Sequence, residues 1–401
     1  MTELSGLRVL DLTDEKGIYG TKMLADLGAD VIRVEPPGGD ALRDHGPFLG
    51  QIPGQNRSLY WAYMNTSKRS ITLNSDTDDG RGILQRLAST VDVIAVAGDA
   101  GEVRALGIES LLRANEKLIA SAITPFGLTG PFQDWTGNDF IGWATGGLMF
   151  STGDPDRPPV SPAPIAELSH ILASYLVSFS TLAAVRQLNR GARGQLVEVS
   201  LQQAVATASG EAGVTAFIDD ALLRTRNGNK RPMSAPFGHF ATNDGFAAAI
   251  LALMPAHWDA LAAWIHEKTG HEGALDESLR GPSFARSGDL LEVADFFTTE
   301  LAAQYSRQEL FEEGQRRGIS ITPVNDPAAS AQDPQLAYRK YWTELEVGGK
   351  SIKSPGAPAR HSKIPWSARP APTVGQHNVE VYASIGIDEA ELERLSNLGV
   401  V

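Results

Sequence analysis

The first 35 residues contain the pattern that most restricts the fold, two short apolar runs on either side of a helical stretch. Leu7–Leu12 (LRVLDL) is rich in strand formers, Gly20–Leu27 predicts a helix, and Val31–Val34 predicts a second strand. A strand, a helix and a strand within about 30 residues are typical of a βαβ unit, whose strands are parallel. The chain is therefore expected to begin with a parallel sheet covered by helices.

The same alternation continues along the chain. Strands are predicted at Ser70–Leu73, Val91–Val96 and Leu118–Ile123, with a helix at Asp79–Ser89. Alternating strands and helices over about 150 residues predict a doubly wound α/β layer.

The middle of the chain changes to a loop and a long apolar helix. Asp154–Pro164 is dense in proline and predicts a loop, and Ile165–Leu188 predicts one helix that is apolar or small on most faces. Such a helix is expected to be buried. A strand at Leu196–Ser200 and a helix at Leu201–Gly210 follow.

Turn signals between apolar runs set off the region after residue 221. The predicted division is a large α/β domain over 1–221, a small α+β domain over 222–330, and an arm with a terminal segment over 331–401. Lys353–Pro372 forms the proline-rich arm, and Asp388–Leu398 predicts an amphipathic terminal helix.

Composition excludes several classes of protein. The 401 residues include no cysteine, which excludes disulfides, thiolate metal sites and a cysteine nucleophile. A net charge of −13 argues against nucleic acid or an anionic membrane as partner. The N-terminal segment lacks the basic and apolar regions of a signal peptide, and no apolar run approaches about 18 residues. We expect a cytoplasmic protein that does not enter a membrane.

Standard nucleotide, hydrolase and metal motifs are absent. The chain has no GxGxxG after its first strand, no P-loop and no GxSxG. His266 and His271 are five residues apart with Gly270 between them, which places them on different helix faces. No metal site is predicted.

Distinctive segments follow one another in a fixed order along the whole chain. They are SGLRVLDLT, LADLGADVIRVEPPGGD, NTSKRSITL, TPFGLTGPF, GNDFIGWATGGLMFSTGD, LAAVRQLNRGARGQLVEVSL, APFGHFATNDG and ITPVNDPAASAQDPQLAYR. In this order they closely resemble the family III CoA-transferases, a family that also contains acyl-CoA racemases. Each motif alone is weak, but the series is specific.

The resemblance implies an architecture and a reaction. It implies a large Rossmann-like CoA-binding domain built from N- and C-terminal parts, a small α+β domain, and an interlocked homodimer. The implied substrates are an acyl-CoA and a carboxylic acid acceptor, with coenzyme A as a substrate and no permanently bound cofactor.

The resemblance also implies which residues bind coenzyme A. Lys68 in NTSKR and Gly17 in the turn after the first strand match family positions near CoA. Arg43 and Arg69 are nearby cations suited to phosphate. For each basic residue the alternative is plain solvent exposure.

The turn after the first strand departs from the family pattern. Many members carry an arginine and Ala-Gly-Pro there, whereas this chain has Asp14 and Glu15 within DEKGIYG. Both acids would repel phosphates if they pointed at them. The adenine end of CoA is therefore expected to be held differently here.

The catalytic position also differs from the family. Family transferases use an aspartate at the start of the long helix, where this chain has Pro164-Ile165-Ala166-Glu167-Leu168-Ser169-His170. Counting from the preceding prolines places Glu167 near the aspartate position, and counting back from the helix places His170 there. Glu167 is able to form the acyl anhydride, whereas His170 is suited to act as a general base or an acyl-imidazole nucleophile. The alternatives are an acid favoured by the helix dipole and a polar residue facing solvent or a cleft.

Asp139 and Asn138 decide between branches of the family. In the racemase branch a histidine precedes the aspartate, and Asn138 cannot replace it as a base. Asp139 is expected to orient the catalytic group or to cap the following helix. CoA transfer is the predicted activity; an isomerase or racemase, or a non-catalytic acyl-CoA-binding homologue or heteromer subunit, are the alternatives.

Overall fold

The computed structural model describes residues 4–54, 56–160, 167–210, 218, 226–228 and 234–401, and the chain divides into two compact units. The larger contains Met1–Met149, Ser161–Leu223 and Ala337–Val401, and the smaller contains Phe150–Val160 and Arg224–Leu336. The boundaries at 222 and 330 stay predictions, and Phe150–Val160 joins the smaller unit although it lies within the predicted large domain.

A six-stranded sheet in the order β3-β2-β1-β4-β5-β6 forms the centre of the larger unit. Its strands are β1 (Arg8–Leu12), β2 (Asp30–Glu35), β3 (Arg69–Thr72), β4 (Val93–Ala97), β5 (Ile119–Thr124) and β6 (Leu196–Ser200). Neighbouring strands are parallel throughout. The strand order reverses between β1 and β4, where Val9 pairs with Val93. The predicted α/β fold with a parallel sheet is confirmed.

Helices cover both faces of this sheet. They are α1 (Ile18–Asp26), α2 (Leu59–Met64), α3 (Asp78–Ala88), α4 (Ala100–Ala105), α5 (Ile108–Ala114), α6 (Asp139–Thr145), α7 (Leu168–Leu188) and α8 (Leu201–Gly210). Leu10 faces a core with α3, α4 and α5, and Val9 faces a core with α1 and α7. Consecutive apolar residues in each strand are buried because both faces are covered.

The C-terminal segment packs on the N-terminal core. After α12 (Pro327–Ala331) and α13 (Pro334–Tyr338), the chain forms the hairpin β10 (Trp342–Val347) and β11 (Lys350–Pro355), and ends in α14 (Asn378–Ser384) and α15 (Glu389–Asn397). Tyr382 and Val400 join the core beside α3. The prediction of an arm from Lys353 is wrong at its start, because Lys353–Pro355 completes β11.

Helix α7 is buried on one side only. Ala173 and Val177 are buried, whereas Phe179 is 75% exposed and Tyr175 39% exposed. By length and composition α7 would be able to cross a membrane, but a core helix passes the same test. The prediction of a buried helix is therefore correct for one face, and its first residues, Ile165 and Ala166, lie outside the described part of the chain.

The smaller unit contains a three-stranded antiparallel sheet with helices. Its elements are β7 (Phe237–Ala241), β8 (Ala247–Leu251), α9 (Pro255–Thr269), α10 (Asp289–Ala302), α11 (Arg307–Arg316) and β9 (Ser320–Pro323). Trp258, Trp264 and Leu301 form part of its core.

Candidate active site

Helix α7 begins immediately after Glu167, the carboxylate predicted to accept the acyl group. Glu167 has φ 37° and ψ 45°, a left-handed conformation that costs a non-glycine residue about 1–2 kcal/mol. Its side chain is 20% exposed, and its Oε2 accepts a hydrogen bond of 3.0 Å from the Tyr60 hydroxyl. Tyr60 lies in α2, which begins at a Ser58 cap. Two distant parts of the sequence therefore position one carboxylate.

Two histidines flank this carboxylate. His170 Nδ1 is 4.0 Å from Glu167 Oε2, and His45 Nε2 is 4.0 Å from Oε1; both are ion-pair distances rather than hydrogen bonds. His45 is exposed and packs on Tyr60, with ring centroids 4.6 Å apart. His170 is buried, and neither ring nitrogen has a hydrogen-bond partner among the described residues. The alternative that His170 faces solvent is therefore wrong. An unpartnered buried imidazole weakens folding, which is the pattern expected of a group kept for a substrate.

The Glu167 carboxyl is ionised at neutral pH. Burial alone would raise its pKa, but the neighbouring His170 and the Tyr60 hydroxyl favour the charged form and hold the pKa below the ordinary 4.5. Burial and the adjacent carboxylate raise the pKa of Tyr60, so this hydroxyl stays a donor. The site thus presents a carboxylate whose Oε1 does not take part in the Tyr60 hydrogen bond.

Asp139 holds the start of α7 from the preceding helix. Its Oδ1 accepts hydrogen bonds of 2.7 Å from both the backbone N–H and the hydroxyl of Ser169. Ser169 lies between Glu167 and His170, so this contact fixes the turn that carries both. Helix α6 itself is capped by the Asn138 side chain. Asp139 therefore caps the later helix rather than the one that it begins.

A cleft of about 780 Å³ opens at the carboxyl ends of β1, β2, β3 and β4. Leu12, Arg33, Leu73 and Ala97 line it at or next to these strand ends. It includes the reversal between β1 and β4, the place where open α/β sheets bind ligands. The described residues contain no group of three or more potential metal-ligating side chains.

Lys68, predicted to touch CoA, is buried in an internal ion pair. Its Nζ donates to Asp11 Oδ2 and Thr21 Oγ1 at 2.9 Å and to the Ile18 carbonyl at 3.2 Å. Arg33 also pairs with Asp11, at 3.1 Å. Burial lowers the pKa of Lys68 to about 8, although Asp11 opposes the change. The alternative of solvent exposure is wrong for Lys68, and its contact with CoA stays a prediction.

The other predicted CoA contacts also have internal partners. Arg43 is buried and donates to both carboxylate oxygens of Glu35, at 2.6 and 2.7 Å, so solvent exposure is wrong for it too. Arg69 pairs with Asp30 at 2.6 Å. A Cβ on residue 17 would lie 2.8 Å from Thr13 Cγ2, so the packing here requires the small size of Gly17.

The described lining of the cleft includes none of the four residues predicted to bind CoA. Lys68 and Arg69 instead line a second cavity, of about 720 Å³, at the amino ends of β1, β2 and β3. The CoA contacts of Lys68, Arg69, Arg43 and Gly17 therefore stay predictions.

Tyr60 and His45 are the residues that the sequence analysis missed. They lie more than 100 positions before Glu167, and neither belongs to a catalytic motif. The available signal is Ser58, a good helix cap that starts the short α2 and so places Tyr60.

A doubly wound sheet with a cleft at its strand ends and a partly buried carboxylate at the start of α7 defines an α/β protein with a candidate active site. The model for CoA-transferase family III matches residues 4–378. The chain belongs to this family, as the resemblance predicted, and transfers coenzyme A between carboxylic acids.

Named relatives and a solved structure span nearly the whole chain. The chain is 32% identical to succinyl-CoA:(R)-benzylsuccinate CoA-transferase subunit BbsE of Thauera aromatica, over 100% of this chain and 98% of that one. It is 31% identical to succinate–glutarate CoA-transferase of Agrobacterium fabrum, over 95% of each. A CaiB/BaiF family protein of Brucella suis superposes with a TM-score of 0.83 at 27% identity, over 96% of this chain and 99% of that one.

Proposed function

We propose that Glu167 is the carboxylate that carries the acyl group and then CoA during transfer. The supporting observation is its placement. Glu167 is an ionised, partly buried carboxylate held by Tyr60, beside the buried His170, whose ring nitrogens have no hydrogen-bond partner among the described residues. The chemistry of transfer needs a carboxylate nucleophile, and Glu167 has both the group and the position at the start of α7.

The proposed reaction balances without a cofactor. Glu167 attacks the thioester carbonyl, the C–S bond breaks, and a mixed anhydride and CoA thiolate form. The thiolate attacks the glutamyl carbonyl, releasing the first acid and leaving a glutamyl–CoA thioester. The acceptor carboxylate attacks that thioester and expels the thiolate, which then attacks the acceptor carbonyl and regenerates Glu167.

Three neighbours support this role. The Tyr60 hydrogen bond fixes Oε2 and leaves Oε1 to attack. The ring nitrogens of His170 lie next to the reacting carboxylate and have no hydrogen-bond partner in the part of the chain that the structure describes, so a substrate oxygen or sulfur is able to bond to them. His45 borders the exposed side of the same group.

Trapping tests the covalent role. Hydroxylamine added during turnover should modify Glu167, because a glutamyl thioester is an activated carboxyl. The adduct should form only when acyl-CoA is present. The exposed Glu393 provides the internal control, since it should stay unmodified. A turnover-dependent adduct at any other residue would overturn the proposal.

Names of the relatives support a dicarboxylic donor. The two relatives carry succinyl-CoA or succinate in their names, so we propose that CoA thioesters of short dicarboxylic acids are donors here. A label-exchange assay with succinyl-CoA and acetyl-CoA tests this, and faster exchange from acetyl-CoA would contradict it.

A cytoplasmic location remains our prediction.

The exposed side of α7 supports a homodimer. Leu168, Tyr175 and Phe179 are apolar or aromatic and solvent-exposed within one chain, and covering them would remove apolar area from water. We propose the interlocked homodimer implied by the family. Sedimentation should show a dimer that does not dissociate on dilution to nanomolar concentration, and a folded monomer there would contradict it.

A second candidate is one subunit of a heteromeric CoA-transferase. Two observations favour it: the carboxylate just before α7 is a glutamate, whereas the family uses an aspartate at the start of this helix, and the Thauera aromatica relative is named as a subunit. A folded, purified chain that binds CoA but exchanges no label alone would support this candidate and contradict the first proposal.

A further inference from the structure

Helix α2, which carries Tyr60, is too short to set its own position. It has six residues, Leu59–Met64, and a side-chain cap in which the Ser58 hydroxyl accepts a hydrogen bond from the Trp61 N–H. Isolated helices shorter than about 12 residues are marginal in water, so packing against other elements has to hold them. The place of the Tyr60 hydroxyl therefore depends on what packs around α2.

Two sides of α2 pack on different parts of the larger unit. Tyr60 and Met64, one turn apart, belong to an apolar cluster with residues of α1 and α7. Ala62 lies two positions after Tyr60, about 200° around the helix axis, and belongs to a second cluster. The side of α2 opposite to Tyr60 thus has its own support.

That support is the hairpin β10–β11. Leu345 and Val347 alternate with the exposed Glu344 and Glu346 along β10, and their side chains pack in one cluster with Ala62. Both are only 3% exposed, although a two-stranded hairpin is marginally stable by itself. Apart from β11, the described element on which β10 packs most is α2. Burial of these two side chains therefore stabilises the hairpin and α2 together.

We propose that the hairpin positions Tyr60 for the reaction, with Leu345 and Val347 as positioning residues. They act through Ala62 and the backbone of α2, which set where the Tyr60 hydroxyl meets Glu167 Oε2 at 3.0 Å. A hydrogen bond weakens steeply when its angle becomes poor, so a small rotation of α2 is enough to weaken this one. The inference rests on the proposed function, because it assigns a support to the carboxylate that reacts there.

Hydrogen exchange in the full chain tests whether the hairpin holds α2. Leu345→Ala should speed amide exchange in Leu59–Met64 about tenfold or more, because the lost side-chain atoms leave a cavity beside Ala62. Leu395→Ala truncates a similarly buried leucine in α15. It is the matched control for general destabilisation and should leave α2 exchange as in wild type. Unchanged α2 exchange in Leu345→Ala would overturn the proposal.

Kinetics test whether this support matters for transfer. Leu345→Ala should lower kcat about three- to tenfold with KM within about twofold of wild type. Leu345→Met keeps the side-chain volume and should recover most of kcat, whereas Leu395→Ala should change neither constant. Val347→Ala removes less apolar surface and should give the same pattern at smaller amplitude, which provides the test if Leu345→Ala does not fold. An unchanged kcat in a hairpin variant whose α2 exchange is faster would overturn the proposal.

A double-mutant cycle separates positioning of Tyr60 from other effects of the hairpin. If Leu345 acts through Tyr60, its truncation has no hydrogen bond left to disturb once the hydroxyl is removed. Leu345→Ala should therefore change kcat less than about twofold in the Tyr60→Phe background. Losses that multiply in the double variant would overturn the proposal, because the hairpin would then affect turnover by another route.

Failure of this proposal is distinguishable from failure of the proposed function. A fully active Glu167→Gln refutes transfer through Glu167, while amide exchange in α2 still shows whether the hairpin holds this helix. A hydroxylamine adduct at Glu167 together with multiplying kcat losses in the cycle refutes the role of the hairpin alone.

Discussion

The parallel sheet and the start of α7 use charge in opposite ways. In and next to strands β1 to β3, buried charges are bound to each other: Lys68 and Arg33 to Asp11, and Arg43 to Glu35. At the start of α7, the Glu167 carboxylate accepts a hydrogen bond from Tyr60, and the ring nitrogens of the neighbouring His170 have none among the described residues. Paired charges stabilise a framework, whereas groups left partly unsatisfied are free to bind and react. Substitutions should therefore affect folding in the first region and turnover in the second.

The largest effect is expected at Glu167. Glu167→Gln removes the nucleophile while keeping the shape, so exchange should fall more than about 10³-fold, as for other nucleophile losses. CoA affinity and the free energy of unfolding should stay close to wild type. Glu167→Asp keeps a carboxylate and should retain measurable exchange. A fully active Glu167→Gln would refute the covalent mechanism.

The next effect tests the opposite region. Lys68→Met leaves Asp11 buried with one cation fewer, and breaking a buried ion pair costs about 3–5 kcal/mol. Urea denaturation should show this loss, whereas Lys117→Met, at an exposed lysine, should stay within about 0.5 kcal/mol. Unchanged stability would show that the ion pair is not structural.

The same variant also tests the CoA contact. Calorimetry under conditions where Lys68→Met stays folded measures its affinity for CoA. A dissociation constant within about twofold of wild type would remove Lys68 from the CoA site that the family resemblance implies.

The pH profile links Tyr60 to the nucleophile. Because the pKa of Glu167 is held below 4.5, its carboxylate is charged from neutral pH down to that value, and protonation should limit transfer only below it. Tyr60→Phe removes a hydrogen bond to a charged group, worth about 1.5–3 kcal/mol. We expect a roughly tenfold lower rate and an acid limb moved to higher pH. A lower rate with an unmoved acid limb would mean that Tyr60 acts on substrate rather than on Glu167.

The sequence predicted the parallel sheet because short apolar runs that alternate with helical segments are typical of parallel βαβ units. It also pointed to the carboxylate at the start of α7, because the family chemistry requires one, and that role stays a prediction. It did not predict Tyr60 and His45, since their approach to Glu167 depends on how α2 packs after folding. Nor did it predict that Lys68 and Arg43 are bound internally. The segment NTSKR is compatible both with a lysine that contacts a phosphate and with one that pairs with Asp11. Side-chain partners across the sheet are a property of packing, and a one-dimensional pattern does not encode them.

The smallest effect is expected at Asp139. Its side chain accepts two hydrogen bonds from Ser169, as a structural group would, and these bonds hold the turn that carries Glu167 and His170. Loss of such a cap costs about 1 kcal/mol, so Asp139→Ala should lower the free energy of unfolding by that amount. Asn138→Ala removes the cap of α6 at similar cost and is the matched control.

The two variants should differ in turnover. Asp139→Ala loosens the turn between Glu167 and His170, and should lower kcat several-fold with little change in KM, because the Asp139 carboxylate acts through its hydrogen bonds to Ser169. Asp139→Asn keeps the accepting oxygen and should recover most of kcat. Equal kcat losses in Asp139→Ala and Asn138→Ala would mean that the lower kcat reflects only the loss of a helix cap. A loss confined to Asp139→Ala and restored by asparagine would show that the geometry of the α7 start limits the rate.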